Sequence, residues 1–416
     1  MGRRLLRALC LGLALLAGAL AARAAPGELA ITQAQFATDP AGPWQSVALP
    51  DTWHERQVPR PGPGHYRLSV SLPDTPTGPW ALRLPRLSSR HAVHVNGTLV
   101  HERRGLADSG QPRPLPLLVP LAAPLLAAGE NRIEITIVGG PRGGLSPLYL
   151  GPLDAVESAH AQLRRREVDA PRALNLAAAG ASLFAVMLWV RRRSEVALGC
   201  FGLLGLLASL RNVAYYDAGS ALPGPLANLL FYVSQLAGAW LFGQFALALW
   251  PGRWPRWRRV LTVGALLAIA AGAVATLAGP AALDRMRVLL YPLIFIAALP
   301  SLWLIGDRVR HFRGTELLAL LAAMLGVVVA GVHDYFFQQG ALDVMGQWWS
   351  PWAMPVALAA FGALMMARVA HAMTEVEQLN RSLEQRVAER TQALSDANAA
   401  KSRFLAAASH DLRQPV

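Results

Sequence analysis

The residue best suited to chemistry in this sequence is a histidine in the stretch KSRFLAAASHDLRQPV, residues 401–416. Asp411 follows His410 directly. A carboxylate beside an imidazole can hold the proton of one ring nitrogen, which leaves the other nitrogen free as a nucleophile. Arg413 adds a cation suited to phosphate oxygens, and Pro415 lacks an amide donor and can bend a helix beyond the histidine. The pattern indicates a nucleophilic imidazole; an ordinary surface histidine is the alternative.

The histidine lies in a predicted helix. Leu405, Ala408 and Leu412 are spaced three and four residues apart, which places them on one helical face. His410 lies about half a turn from that face, so we expect it to point to solvent. Upstream, residues 372–400 carry an apolar stripe that one helix cannot bury alone, which predicts a short, irregular dimeric coiled coil. The stripe consists of Val376, Leu379, Leu383, Val387 and Leu394.

Seven apolar runs between residues 171 and 368 precede this helix. Each is close to the roughly 20 residues needed to cross a bilayer, which predicts a seven-helix transmembrane bundle. The runs are approximately 172–190, 196–213, 226–250, 260–279, 288–305, 316–337 and 348–367.

Arginine placement predicts the orientation of these spans. Three loops, at 191–193, 253–259 and 308–313, are rich in arginine, whereas the opposite short loops hold only Arg285 and Arg287. The positive-inside rule therefore puts the basic loops and the C-terminus in the cytoplasm. The arginines just before the first run oppose this assignment, but a long exported domain is largely exempt from the rule.

Composition excludes several classes of protein. The chain has 416 residues, of which 53% are hydrophobic and 16% charged, which favours a membrane protein. Its net charge of +13 comes from scattered arginines, with Lys401 the single lysine, so we predict no nucleic-acid partner. Cys10 and Cys200 are too few for a disulfide framework, and no metal-ligand spacing is present. Residues 1–24 have the basic start, apolar core and small residues of a secretory signal peptide; an uncleaved anchor is the alternative.

Residues 26–166 are predicted to form an antiparallel β-sandwich that lies outside the cytoplasm. Apolar and polar residues alternate at 66–72 and again at 133–137, as a sheet with one buried face requires. Asn96-Gly97 is a strong hairpin signal because both residues tolerate positive φ.

The sandwich also resembles a known fold. The segments LPDTWHE, GHYRLSVSL, HVNGTLV and GENRIEITIV occur in the order typical of a galactose-binding-like jelly roll, as in non-catalytic domains of glycoside hydrolases. The resemblance implies a fold and leaves the ligand open, a small molecule or a carbohydrate among the candidates. Candidates for a ligand site are Trp53 and His54, followed by His91, His94 and His101; a core tryptophan and scattered surface histidines are the alternative.

The stretch FLAAASHDLRQP resembles the H-box of sensor histidine kinases, in their dimerisation and histidine-phosphotransfer domain. The resemblance implies that His410 is the phosphoacceptor, Asp411 the assisting base, Arg413 a phosphate contact and Pro415 the kink. Gln414 replaces the Thr or Asn that many relatives use for phosphatase activity, which puts that activity in doubt. The resemblance to sensor histidine kinases also implies that the complete kinase binds ATP and Mg²⁺ in a domain beyond residue 416. We therefore expect no cofactor in this chain and no autonomous kinase activity.

The order of parts is similar to that of bacterial seven-transmembrane receptors with diverse intracellular signalling modules. This implies a multi-pass protein of the inner membrane, with a periplasmic N-terminal domain, a cytoplasmic C-terminus, a homodimer and a response-regulator partner. A receptor or adaptor without enzymatic output, phosphorylated in trans, is the alternative function. A carbohydrate transporter is a third, against which the spans show no inverted repeat.

Ionisable residues inside predicted spans are functional candidates. His333 and Asp334 lie near the outer end of the sixth run, and Arg211 and Asn212 near the outer end of the second. A sensing role is one hypothesis for the first pair, and contact with interfacial water is the alternative. Adjacent residues such as His333 and Asp334 do not share a helix face.

Overall fold

The computed structural model describes residues 26–53, 62–87, 90–103, 115–139, 143–216, 224–250, 252, 254–312, 315–342 and 345–411. The predicted signal peptide, residues 1–24, lies outside these ranges. The chain divides into two compact units, Met1–Ala360 and Phe361–Val416.

Twelve strands are described in the N-terminal region, and all their pairings are antiparallel. They are β1 Leu29–Ile31, β2 Gln33–Ala37, β3 Gln45–Ala48, β4 Asp51–Thr52, β5 Gly62–Leu72, β6 Trp80–Leu87, β7 Arg90–Val95, β8 Thr98–Arg103, β9 Leu115–Leu121, β10 Gly129–Gly139, β11 Gly144–Leu145 and β12 Leu148–Pro152. A four-stranded sheet has the order β1-β12-β6-β9, and a six-stranded sheet has the order β3-β2-β5-β10-β7-β8. One apolar core contains residues of both sheets, so the two sheets form a sandwich.

The alternation read from the sequence explains this core. In β10, Ile133, Ile135 and Ile137 are fully buried, while the residues between them face outward. The predicted hairpin is confirmed: β7 and β8 are joined by Asn96 and Gly97, with φ of 49° and 81°. Positive φ at both turn residues matches the twist of the paired strands.

The strands end earlier than the boundary at residue 166 that the sequence suggested. Helix α1, Leu153–Arg164, follows β12 directly and continues through a π-helical turn, Arg165–Asp169. Val156 of α1 is fully buried and α1 contacts β6, β9 and β12, so this segment packs against the four-stranded sheet instead of adding a strand to it.

Within the described residues, seven helical segments are long and apolar enough to cross a membrane. The helices are α2 Ala170–Arg191, which continues the α1 segment, α3 Val196–Tyr216, α4 Gly224–Ala248, α5 Pro255–Leu277, α6 Pro280–Phe312, α7 Thr315–Gln338 and α8 Ser350–Asp411. Large apolar side chains face outward, for example Leu266 and Leu267 of α5, which are 62% and 66% exposed. Such apolar outer surfaces are typical of helices that contact lipid.

Two helices, α6 and α8, extend far beyond the apolar runs predicted for them. Helix α6 includes Arg285, Arg287 and Arg308, which we expected in loops; Arg287 is buried because Asp284 and a backbone carbonyl accept its hydrogen bonds. Helix α8 includes the seventh run from Ser350 onward and the predicted coiled-coil residues. The stripe residues of α8 are 55–66% exposed, and the dimeric coiled coil stays a prediction.

Candidate functional site

A network of buried polar groups surrounds the first residues of α8. We call it the polar hub and define it as the side chains of Asn175, Asn212 and Asp334 with the backbone of residues 349–351. The Asp334 carboxylate accepts hydrogen bonds from the Trp349 and Ser350 amides, each at 2.9 Å, and Asp334 is 5% exposed. The first amides of a helix have no partner within it, and an anion there also meets the positive end of the helix dipole. Asp334 of α7 therefore fixes the start of α8.

Two asparagines complete the hub from the other side. The Asn175 amide donates to the Pro351 carbonyl at 2.7 Å, and Asn212 donates to the Asn175 side-chain oxygen at 2.8 Å. Four residues beyond Pro351 comes Pro355, which has no N–H to donate to that carbonyl. Asn175 thus supplies the missing donor, and helices α2 and α3 are bound to the start of α8.

His333 contacts the same segment. Its ring stacks on Trp349, with centroids 4.0 Å apart and planes 5° apart, and its Nδ1 lies 3.0 Å from Asp334 Oδ1. Although adjacent residues do not share a helix face, both side chains reach the chain segment that begins α8. The structure therefore brings the two predicted residues together.

Arg211 extends the hub towards α4. Its guanidinium donates to the Gln235 side-chain oxygen at 2.6 Å and to the Asn212 oxygen at 3.1 Å. Four of the long apolar helices, α2, α3, α4 and α7, are therefore connected to α8 through side-chain hydrogen bonds.

A cleft lies between the sandwich and the hub, and we call it the junction cleft. Arg86 of β6 and Glu167 of the π-helical turn meet there in an ion pair of 2.9 Å, and both side chains are largely buried. The cleft is lined by Arg86, Leu115, Glu167, Pro171, Tyr215, Tyr216, Gln347, Trp348, Pro351 and Trp352. The start of α8 thus borders a space whose opposite wall belongs to the sandwich.

Sequence reasoning missed Asn175, Arg86 and Glu167. A polar residue within an apolar run was a usable signal for Asn175. No local pattern pairs Arg86 with Glu167, because 81 residues separate them.

In the sandwich, the candidate Trp53 is fully buried. Its indole N–H donates to the Tyr66 hydroxyl at 2.7 Å, which donates to Asp51 Oδ2 at 2.7 Å. An added Cβ at Gly64 or Gly143 would collide with the indole ring. Trp53 thus occupies a closely packed core position, and His54 lies outside the described residues.

The remaining sandwich histidines lie on β7 and β8. His91 and His101 stack with centroids 5.2 Å apart, and His94 is half-buried. Burial, together with the nearby Arg103 cation, lowers the pKa of His101. Across the described residues, no group of three His, Cys, Asp or Glu side chains could hold a metal ion.

The predicted phosphoacceptor residues lie at the end of α8. His410 and Asp411 are its last two residues, and only their backbone is described. Arg413 and Pro415 lie outside the described residues, as does Gln414.

Comparison with known proteins gives distant likenesses only. No protein-family model and no curated protein matches the chain. Similar solved structures include a β-D-mannosidase from Dictyoglomus thermophilum (14% identity, 26% of this chain and 15% of that chain, TM-score 0.22). Another is a GH2 β-galacturonidase from Eisenbergiella tayi bound to glycerol (16% identity, 32% of this chain and 25% of that chain, TM-score 0.25). A third is a β-glucuronidase from Faecalibacterium prausnitzii (19% identity, 27% of this chain and 21% of that chain, TM-score 0.22). The chain spans a quarter or less of these structures, and scores this low carry no functional argument.

Proposed function

We propose that this chain is the sensor, membrane and phosphoacceptor part of a transmembrane histidine kinase of a two-component system. The observation that carries the proposal is the sequence SHDLRQP at residues 409–415, whose histidine ends the same helix that begins at the polar hub. The sandwich serves as the sensor domain, with a galactose-binding-like jelly roll as its fold. In this proposal it is periplasmic, and the C-terminus is cytoplasmic.

The proposed reaction is phosphoryl transfer to the His410 imidazole. An unprotonated ring nitrogen attacks the γ-phosphorus of ATP, the bond to the β,γ-bridging oxygen breaks, and ADP leaves. Asp411 accepts a hydrogen bond from the other ring nitrogen and stabilises the positive charge that develops on the ring. ATP and Mg²⁺ are positioned by an ATP-binding domain, since phosphoryl transfer depends mainly on positioning and charge stabilisation. A response regulator then takes the phosphoryl group from His410.

The polar hub supports the sensing part of the proposal. Side chains from α2, α3 and α7 hold the start of α8, and the junction cleft separates that start from the sandwich. A change in the sandwich can therefore alter contacts at the first turn of α8. In the proposal, α8 passes that change to its dimeric coiled coil and to His410.

A radiolabelling experiment tests the proposed function. The chain, joined to the sequence encoded downstream of it in its gene, is incubated in membranes with [γ-³²P]ATP. We expect acid-labile label on the protein, complete loss of label in His410→Ala, and full label in His371→Ala, an exposed histidine of the same helix. Label that persists in His410→Ala rejects the assigned role.

A further inference from the structure

The junction cleft has the composition of a binding site. Three parts of the fold line it: the sandwich, the π-helical turn with the start of α2, and the facing ends of α3 and α8. The space that a water-sized group can enter is about 20 Å³. A cleft of this size has room for one or two water-sized groups, such as the ammonium end of a small molecule, at a point where these elements meet.

One wall of the cleft carries a hydrogen-bond acceptor that has no donor. Glu167 Oε1 accepts from Arg86 at 2.9 Å, whereas Glu167 Oε2 is buried with no hydrogen-bond partner in the part of the chain that the structure describes. A buried carboxylate oxygen without a partner is costly, and such atoms call for a specific explanation. A ligand that donates an N–H to Oε2 would remove this cost.

The other walls are aromatic. Two tyrosines at the end of α3, a tryptophan just before α8 and another in its first turn line the cleft: Tyr215, Tyr216, Trp348 and Trp352. The Tyr215 and Trp348 rings lie 4.8 Å apart and are tilted by 54°. Aromatic faces attract cations through their quadrupoles, and several rings around one space form the aromatic cage that recognises ammonium groups. A carboxylate oxygen and aromatic rings together favour a cation that can also donate hydrogen bonds.

We propose that the junction cleft binds a small organic ammonium group, which donates to Glu167 Oε2 and contacts the surrounding rings. The group belongs either to a free amine or to the headgroup of an amine-bearing lipid, since tryptophans of this kind often lie at headgroup level. Binding stands on the cleft geometry alone; its role as a signal for α8 rests on the proposed kinase function.

Ethanolamine is a suitable probe, with ethylene glycol as its neutral counterpart of similar size. The full chain is placed in nanodiscs of phosphatidylglycerol, which carries no amine, and thermal unfolding and tryptophan fluorescence are recorded during titration at constant ionic strength. We expect a saturable increase in melting temperature with ethanolamine and none with ethylene glycol. No response to ethanolamine, or an equal response to both compounds, overturns the proposal.

Substitutions assign the response to the cleft. Glu167→Gln keeps the side-chain size but replaces Oε2 or Oε1 by an N–H donor, so we expect ethanolamine to bind at least tenfold more weakly. Glu157→Gln makes the same change at an exposed position of α1 and should bind like the unchanged chain. Because Glu167→Gln also weakens the ion pair with Arg86, Trp352→Leu provides a second test and should weaken binding similarly. Unchanged binding in both cleft variants overturns the proposal.

The lipid identifies the source of the ammonium group. If a lipid headgroup is the ligand, nanodiscs of phosphatidylethanolamine raise the melting temperature and abolish the response to added ethanolamine. If a free amine is the ligand, the response is the same in both lipids. Either result supports the site. These measurements do not involve His410, so a failure of the cleft proposal and a failure of the kinase proposal are distinguishable.

Discussion

Replacing Asp334 is the sharpest test of the polar hub. Both oxygens of its buried carboxylate are used: Oδ1 accepts from the Trp349 amide and Oδ2 from the Ser350 amide. Asp334→Ala removes both acceptors and leaves two amides at the start of α8 without partners. Asp334→Asn keeps the shape and one oxygen but places an N–H₂ group against the other amide.

The expected cost follows from these two bonds. A hydrogen bond to a charged group contributes about 1.5–3 kcal/mol, so losing both should cost about 3 kcal/mol or more. Asn keeps one acceptor and should cost roughly half as much, about 1.5 kcal/mol. In a folded region of about 150–250 residues, each kcal/mol changes the melting temperature by about 2–4 °C. Asp334→Ala should therefore lower the melting temperature by about 6 °C or more.

Thermal unfolding in nanodiscs, followed by tryptophan fluorescence, measures this difference. Asp74→Ala and Asp74→Asn are matched controls, because Asp74 is exposed on the sandwich, and we expect them to change the melting temperature by no more than about 1 °C. The order should be Asp334→Ala, then Asp334→Asn, then the controls. An Asp334→Ala variant that melts with the controls would refute the role of Asp334 as the cap of α8.

Three further predictions concern other parts of the chain. Gly143→Ala places a Cβ 2.0 Å from a Trp53 ring carbon and should destabilise the sandwich by about 3 kcal/mol. Gly78→Ala is the control, because its Cβ meets nothing within 4 Å and should leave the stability unchanged. Limited proteolysis at increasing urea concentration measures the stability of both variants. Because the pKa of His101 is lowered in the folded sandwich, the unfolded sandwich binds more protons than the folded one. The stability of the sandwich should therefore fall as the pH drops below about 6.5, and His101→Gln should reduce that fall in the same assay. The same pH dependence in the variant and the unchanged chain would contradict this. Leu383→Asp puts a charge on the exposed stripe of α8 and should abolish dimers detected by cross-linking, and persistent dimers would contradict the coiled coil.

Much of the sandwich could be predicted from sequence because its signals are local. Alternation at residues 66–72 and 133–137 gave β5 and β10, which pair directly, and Asn96-Gly97 gave the β7–β8 turn. The lengths of the apolar runs gave the helices in the same way. The end of the last strand, at Pro152, could not be predicted in this way. The residues after it form a helix, and no change in an alternating pattern marks the point where the strand ends.

The candidate site could be predicted only in part. Their position inside apolar runs makes His333, Asp334 and Asn212 functional candidates, but their partners come from distant segments. The Pro351 carbonyl needs Asn175 because Pro355 has no amide, a relation that becomes visible only when α2 and α8 are adjacent. Arg86 and Glu167 meet for the same reason, through tertiary packing rather than spacing.

The central claim is that α8 carries His410 into the ATP-containing compartment, opposite the sandwich. Single cysteines at the exposed positions Thr98 and Ser402, in a chain whose own cysteines are replaced, can be probed with a membrane-impermeant maleimide. The account predicts that Thr98→Cys is labelled in intact spheroplasts and that Ser402→Cys is labelled only after lysis. Labelling of Ser402→Cys in intact spheroplasts would contradict it, because a histidine on that side of the membrane has no ATP to react with.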